Sequence, residues 1–140
     1  MSMSLSERRA RTFAVATGLF VAMLVAPVAD AGPTGPAAED AAATVTMTGK
    51  SAFSPDTIEI KAGETVLWKN TSTKVHTVTA DPKQAKDPKH VELPSGAEPF
   101  DSGKIKPDGT YRHTFTKPGR YTYFCIPHEK AGMIGHVVVK

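Results

Sequence analysis

Cysteine is nearly absent: the 140-residue sequence contains a single one, Cys125. One thiol cannot form an internal disulfide, which excludes a small domain held together by cystines. Basic residues are not gathered into blocks and the formal net charge is only +3, so the sequence lacks the electrostatic signature of a nucleic-acid or lipid-surface binder. We therefore predict no nucleic-acid partner, and the lone thiol needs another explanation.

Long apolar runs are also missing, apart from one near the N-terminus. Three arginines precede the run FAVATGLFVAMLVAPV, and Ala29-Asp30-Ala31 follows it. This order is typical of a signal peptide, predicted over residues 1–31, whose cleavage exports the chain to the periplasm or out of the cell. The alternative is an uncleaved anchor, but the run has 16 residues, whereas a bilayer-spanning helix needs about 20. We predict no stable membrane insertion, and the general and twin-arginine export routes both stay open.

Helical periodicity is lacking over any useful length. Residues 32–43 (GPTGPAAEDAAA) contain no large apolar side chain and are predicted to form a flexible leader. From Thr44 to Lys140, short runs alternate apolar and polar residues and are separated by turn-forming Pro, Gly and Asp. This pattern predicts one all-β domain over residues 44–140, an antiparallel sandwich or barrel. The alternation places these pairs on buried faces: Val45 and Met47, Ile58 and Ile60, Val66 and Trp68.

One segment, residues 81–103, breaks the strand pattern and is rich in Pro, Lys and Asp. We expect it to form a long surface excursion that contains a turn of helix. Its three lysines, Lys83, Lys86 and Lys89, either steer a charged partner or are merely solvated.

The closing stretch YTYFCIPHEKAGMIGHVVVK brings Cys125, His128 and Met133 close together in sequence. Thiolate and thioether are soft ligands and imidazole is borderline, and one Cys, two His and a weak axial Met make up the ligand set of copper electron-transfer sites. Taken singly, a lone Cys is commonly inert core filling and Met133 would be a core residue. The spacing favours the metal site, which needs a second imidazole from elsewhere in the chain.

Four other histidines could supply that imidazole. His76 follows the Trp68 strand and its NTST turn, where the chain enters a neighbouring strand at one end of the sandwich. His90 lies in the excursion and is expected to be solvated, and His113 alternates with Tyr111 and Phe115 and should lean on the core or its rim. His136 alternates against valines and should point outward. We therefore predict His76 as the second histidine ligand.

These residues resemble a known family. The Cys-x-x-His-x-x-x-x-Met element, the preceding KPGRYTYFC, the upstream FSPDTIEIKAGETVLWKN and the HTV at His76 are similar, in order, to plastocyanin-type small blue copper proteins, the cupredoxins. The resemblance covers Thr44 to Lys140. It implies a Greek-key β-sandwich of about 7–8 strands with one type 1 copper ion at one end, bound by His76, Cys125, His128 and Met133.

The resemblance also implies a function. It predicts a one-electron carrier that shuttles between Cu(II) and Cu(I), acts as a monomer between redox proteins, and is not an enzyme. One residue departs from the family pattern: the residue after the first histidine is often Asn, whose side chain ties the two ligand loops together, and here it is Thr77. The threonine hydroxyl is expected to make part of that contact.

Two other classes of function, a copper chaperone or storage protein and an enzyme, agree less well with these residues. A copper chaperone or storage protein with the same fold would favour exchangeable Met- or His-rich ligands, but only Met47 and Met133 remain after the export segment. A copper oxidase needs further metal sites, usually supplied by His-x-His pairs, which the sequence lacks. A thiol hydrolase needs an accessible low-pKa thiolate and an orienting third group, and Met133 has no role in that chemistry.

Overall fold

The computed structural model describes residues 40–140, and within them nine short strands form two sheets. The predicted signal peptide and most of the predicted leader lie outside the described residues. The strands are β1 (Ala43–Met47), β2 (Phe53–Ser54), β3 (Thr57–Ile60), β4 (Thr65–Asn70), β5 (Thr79–Ala80), β6 (Phe100–Asp101), β7 (Thr110–Thr114), β8 (Gly119–Phe124) and β9 (Ile134–Val139). Over residues 40–140, no helix has the length and apolar character needed to cross a bilayer.

The two sheets are mixed. One has the order β2-β1-β4-β7 and the other β3-β9-β8-β5-β6. The expectation of purely antiparallel pairing is wrong for two pairs, because β1 with β4 and β3 with β9 are parallel. The chain passes from β2 to β3 in the second sheet before it returns as β4, and such a crossover allows parallel neighbours. Residue alternation carries no information on strand direction, which explains the error.

The core lies between the two sheets and follows the predicted alternation. Val45, Met47, Ile58, Ile60, Val66 and Trp68 are all buried. Trp68 on β4 meets Tyr123 on β8 edge to face, with ring centroids 5.4 Å apart, so the two sheets contact each other through aromatic side chains. A rigid, filled interior of this kind fixes the ends of the strands, from which the loops of the candidate site emerge.

The predicted excursion, residues 81–103, is interrupted by a strand that was not expected, because Phe100–Asp101 form β6, and the part between β5 and β6 packs against the domain at defined points. It contains the expected turn, a 3₁₀ turn at Pro88–His90, and Glu92 pairs with Thr122 of β8 through two backbone hydrogen bonds. Asp87 caps the turn, because its side chain accepts a hydrogen bond from the Lys89 N–H. The excursion is therefore hydrogen-bonded to the sheet that leads into Cys125.

Candidate metal centre

The end of β8 and the turn after it deliver two of the predicted ligands. Cys125 directly follows β8, and a 3₁₀ segment over Ile126–Ala131 carries His128, whose N–H donates to the Cys125 carbonyl over 3.1 Å. Pro127 occupies the first turn of this segment, where its missing N–H costs nothing. Gly132 ends the segment with a left-handed φ of 77°, a conformation that glycine adopts without steric penalty.

His76 reaches the same place from a different loop. It lies between β4 and β5 and forms a two-bond backbone bridge with Ile105, over 3.1 Å and 2.8 Å. The side chain is fully buried. The bridge fixes the backbone of His76 and so determines which way its ring can point.

Three of the four predicted ligand residues come together. The Cys125 Sγ atom lies 3.6 Å from His76 Nδ1 and 3.4 Å from His128 Nδ1. One ligand atom from each residue falls within 4.8 Å of the others, and this is the only such group of three or more His, Cys or acidic residues in the described part of the chain. The two imidazole rings are 4.8 Å apart, centroid to centroid.

Met133 belongs to the same loop through its backbone. Its carbonyl accepts the Cys125 N–H over 3.1 Å, and its own N–H donates to the His128 carbonyl over 3.3 Å. The side chain is fully buried. These bonds join the Met133 backbone to Cys125 and His128, while the axial role of its thioether stays a prediction.

The model of the copper-binding plastocyanin/azurin family matches residues 40–140. The chain belongs to this family. A chloroplastic plastocyanin of Tetradesmus obliquus is 35% identical over 92 residues, 66% of this chain and 61% of that protein. Plastocyanin of Cucurbita pepo is 34% identical over 100 residues, 65% of this chain and 90% of that protein. The chain spans only about half, 53%, of the matching minor plastocyanin isoform of Arabidopsis thaliana.

Solved structures of the same family share the fold. A pseudoazurin from Sinorhizobium meliloti superposes with a TM-score of 0.56 at 31% identity, covering 70% of this chain and 72% of the other. A single-residue variant of amicyanin in its Cu(I) form superposes with a TM-score of 0.57 at 29% identity, covering 74% and 86%. The predicted cupredoxin-like β-sandwich is thus confirmed.

Copper is the cofactor of this family, and the donors present here fit it. One soft sulfur and two imidazole nitrogens converge from loops whose backbones are hydrogen-bonded to each other. These three are the strong ligands in the set of one Cys, two His and a weak Met that suits both oxidation states of copper. A site that prefers hard cations would instead need oxygen ligands.

Thr77 makes the contact that the family usually assigns to Asn. Its N–H donates to Cys125 Sγ over 3.3 Å, and its hydroxyl oxygen accepts the Ile126 N–H over 2.9 Å. Thr77 thereby ties the His76 loop to the Cys125 loop. The expectation from sequence, that the hydroxyl would supply part of this link, agrees with the structure.

The far side of the His76 ring is also held. Its Nε2 lies 2.9 Å from Ser72 Oγ, and the same hydroxyl donates to the buried Asn70 Oδ1 over 2.8 Å. Partners of this kind fix the tautomer and orientation of a ligating histidine. Sequence reasoning treated the NTST segment only as a turn, although a Ser four residues before a predicted ligand was a usable signal.

Burial and nearby charges set the ionisation of the three donors. Burial lowers the pKa of His76, and the charges of His128 and Lys74 lower it further. Burial likewise lowers the pKa of His128, with a contribution from Lys74. Burial raises the pKa of the Cys125 thiol, which hydrogen bonds from Thr77 and His128 partly offset. Both imidazoles therefore keep a free lone pair at pH 7, and the thiol holds a proton that metal binding releases.

The remaining histidines lie away from this centre. His113 stacks on Phe100 with centroids 4.1 Å apart, as expected for a residue at the rim of the core. His136 lies on the less buried face of β9, as expected from the alternation, but it is half-buried and not solvent-exposed, and its Nδ1 lies 3.0 Å from Thr122 Oγ1. His90 was expected to be solvated, but its Nδ1 lies 2.9 Å from Glu129 Oε1, in the turn that carries His128.

Glu129 is the residue that sequence reasoning missed. Its side chain is buried at 3% exposure, directly after a predicted ligand. Burial raises the pKa of this carboxyl, but hydrogen bonds from His90 and from the amides of Asp87 and Lys86 outweigh that effect and hold the pKa below its usual value. Glu129 is thus an ionised buried carboxylate at neutral pH.

Proposed function

We propose that the chain is an exported one-electron carrier in which His76, Cys125 and His128, together with the weaker donor Met133, would hold a type 1 copper ion. The observation that carries the proposal is the approach of both imidazole Nδ1 atoms to one buried sulfur, 3.6 Å and 3.4 Å away. When bound, copper supplies a centre that cycles between Cu(II) and Cu(I). Electron transfer, and not turnover of a substrate, is the proposed activity.

The protein's part is to keep the donors in place while the charge of the centre changes. Every rearrangement of a ligand adds to the barrier for electron transfer, so a carrier benefits from rigid loops. The Thr77–Ile126 bond joins the two ligand loops. The His76–Ile105 bridge holds the first loop to the segment before β7, and the Cys125–Met133 bond closes the second loop on itself. The Thr77 N–H also stabilises negative charge on the Cys125 sulfur.

The two imidazoles differ in exposure, and we propose that the electron enters and leaves through the more exposed one. His76 is fully buried, whereas His128 is half-buried and lies beside the exposed Pro127. An open, mainly apolar concavity of about 510 Å³ adjoins this turn and is lined by Val75, Thr77, Asp101, Gly103, Lys104, Ile126 and Pro127. Redox proteins meet over small, transient contacts, and an apolar surface beside an exposed ligand suits them.

The deciding experiment is to load the domain over residues 32–140 with Cu(II), record its visible spectrum and titrate its potential. An intense blue Cu(II) form that is reversibly reduced supports the carrier. Cys125→Ser should abolish the colour and leave the fold intact, because a hydroxyl cannot replace the charge transfer from thiolate to copper. His113→Ala is a matched control that should stay blue. A colourless, tight Cu(I) complex would instead support a chaperone or storage role.

Export is the second part of the proposal. Small residues at Ala29 and Ala31 flank the expected cleavage point, so the mature chain should begin at Gly32. Intact-mass measurement of the exported protein tests this. Recovery of the protein with residues 13–28 still attached would contradict cleavage before Gly32 and support a retained anchor, without affecting the copper site.

A further inference from the structure

The carboxylate of Glu129 accepts four hydrogen-bond contacts from one short segment of the excursion. The Lys86 N–H lies 2.8 Å from Oε1 and 3.1 Å from Oε2, the Asp87 N–H donates to Oε1 over 3.0 Å, and His90 Nδ1 lies 2.9 Å from Oε1. A buried carboxylate is costly unless it is paired in this way. We call this set of contacts the carboxylate clamp.

The donors of the clamp lie at and just before a capped turn. Asp87 caps the 3₁₀ turn Pro88–His90 through its bond to the Lys89 N–H, 2.9 Å long. The amides of Lys86 and Asp87, just before this turn, donate to the Glu129 carboxylate. They lie 43 and 42 residues before Glu129, so the clamp joins two segments that are distant in sequence.

The clamp holds the turn at the place where it is least regular. His128 has φ −119° and ψ 17°, which interrupts the 3₁₀ segment at the residue that carries the predicted ligand. Glu129 follows this kink, and its own carbonyl accepts the Gly132 N–H over 2.9 Å just before Met133. One residue is therefore bonded to the ligand loop through its backbone and to the excursion through its side chain.

We propose that Glu129 is a positioning residue: by binding the excursion at residues 86–90 it fixes the backbone at His128, and with it the orientation of the imidazole toward Cys125. The inference rests on the proposed function, because it gives His128 the role of a copper ligand. Loss of the carboxylate leaves two excursion amides without their acceptor and frees the kinked turn. The His128 ring then samples a range of positions relative to the sulfur.

The test compares Glu129→Ala and Glu129→Gln with the unchanged protein. The control is Glu92→Ala, which removes an exposed carboxylate of the same excursion that bonds Arg120 and Thr122. Amide hydrogen exchange in the metal-free protein reports the clamp itself. Electron paramagnetic resonance of the Cu(II)-loaded protein, together with its electron self-exchange rate, reports the position of His128.

In Glu129→Ala, exchange at the Lys86 and Asp87 amides should quicken by about tenfold or more, since hydrogen bonds to a charged group are among the stronger ones. The electron paramagnetic resonance spectrum of the Cu(II)-loaded protein should broaden and show more than one Cu(II) species. The electron self-exchange rate should fall several-fold. Glu129→Gln should recover most of the Cu(II) spectrum, because a carbonyl oxygen in the place of Oε1 still accepts from the Lys86 and Asp87 amides and from His90. Only the longer contact of the Lys86 N–H with Oε2 is lost. Glu92→Ala should resemble the unchanged protein.

Two results would overturn the proposal. If Glu129→Ala quickens amide exchange but leaves the Cu(II) spectrum and self-exchange equal to those of Glu92→Ala, the carboxylate only secures the excursion. If Glu129→Ala does not fold, Glu129→Gln gives the second test: faster exchange of the Lys86 and Asp87 amides, with a Cu(II) spectrum and self-exchange equal to those of Glu92→Ala, would likewise show that the clamp does not position His128. Absence of a blue centre in the unchanged protein would refute the proposed function, and the amide exchange would still report the clamp.

Discussion

The backbone N–H of Thr77 donates a hydrogen bond to Cys125 Sγ over 3.3 Å, and the two residues are 48 positions apart in sequence. The hydroxyl of the same threonine accepts the Ile126 N–H over 2.9 Å. One residue thus serves the sulfur through its backbone and the neighbouring loop through its side chain. The two contacts can be separated by mutation, because only the second depends on the side chain.

Thr77→Val should destabilise the metal-free protein by about 1–3 kcal/mol, because it leaves the Ile126 N–H without an acceptor beside a buried side chain. Thr77→Ser restores the acceptor and should recover most of that loss. Chemical denaturation of both variants measures the effect. Equal stability of the valine variant and the unchanged protein would show that solvent replaces the hydroxyl.

Met133→Leu should keep the blue Cu(II) form and raise its reduction potential, because a weak axial donor that favours Cu(II) is removed. A shift of about 60 mV corresponds to a tenfold change in the one-electron equilibrium. Met47→Leu is the matched control, since Met47 is a fully buried core residue of β1. A bleached Met133→Leu protein would assign Met133 a structural role in the loop.

Stability of the metal-free protein should fall as the pH drops below the ordinary pKa of histidine, in part because of His113. Burial lowers the pKa of His113, so below about pH 6.5 the unfolded chain binds a proton that the folded one does not. Stability is lost from that pH downward until the folded state is protonated as well. His113→Phe should reduce the difference in unfolding free energy between pH 8 and pH 5, measured by denaturation. An unchanged difference would show that His113 contributes nothing to it.

Ile126→Asp should slow electron exchange with a redox partner several-fold and leave the spectrum and potential nearly unchanged. The residue is half-buried, lines the concavity beside His128 and precedes the exposed Pro127. Stopped-flow rates at several salt concentrations separate loss of apolar contact from altered charge steering. Thr116→Asp adds the same charge at the opposite end of β8, and equal slowing in both variants would place the exit route elsewhere.

The sequence predicted the fold class and the core positions because both depend on local alternation. Val45, Ile58 and Trp68 could be assigned to buried faces from the period of two alone. The direction of each strand relative to its neighbours could not be predicted from alternation, since it depends on how the chain crosses between the sheets. Phe124 is fully buried although it lies outside the core cluster, and the alternation along β8 does not predict this burial.

The candidate site divides in the same way. Cys125 and His128 are close in sequence, and the chemistry of their side chains suggested a third donor, so His76 could be singled out among five histidines. The hydrogen-bond partners of these residues could not be predicted from the sequence in the same way. Ser72 and Glu129 have ordinary sequence surroundings, and their roles come from contacts with His76 and the excursion that only the folded chain brings about.

His76 and Cys125 are 49 residues apart in sequence and 3.6 Å apart, Nδ1 to Sγ, in the folded chain. An unfolded chain presents Cys125 and His128 together but holds His76 at no fixed distance from them. The complete set of strong donors therefore arises only once β4, β5 and β8 have assembled. Tight metal binding by all three donors therefore indicates that the chain has folded. Because the unfolded chain lacks this site, the free energy of binding stabilises only the folded state.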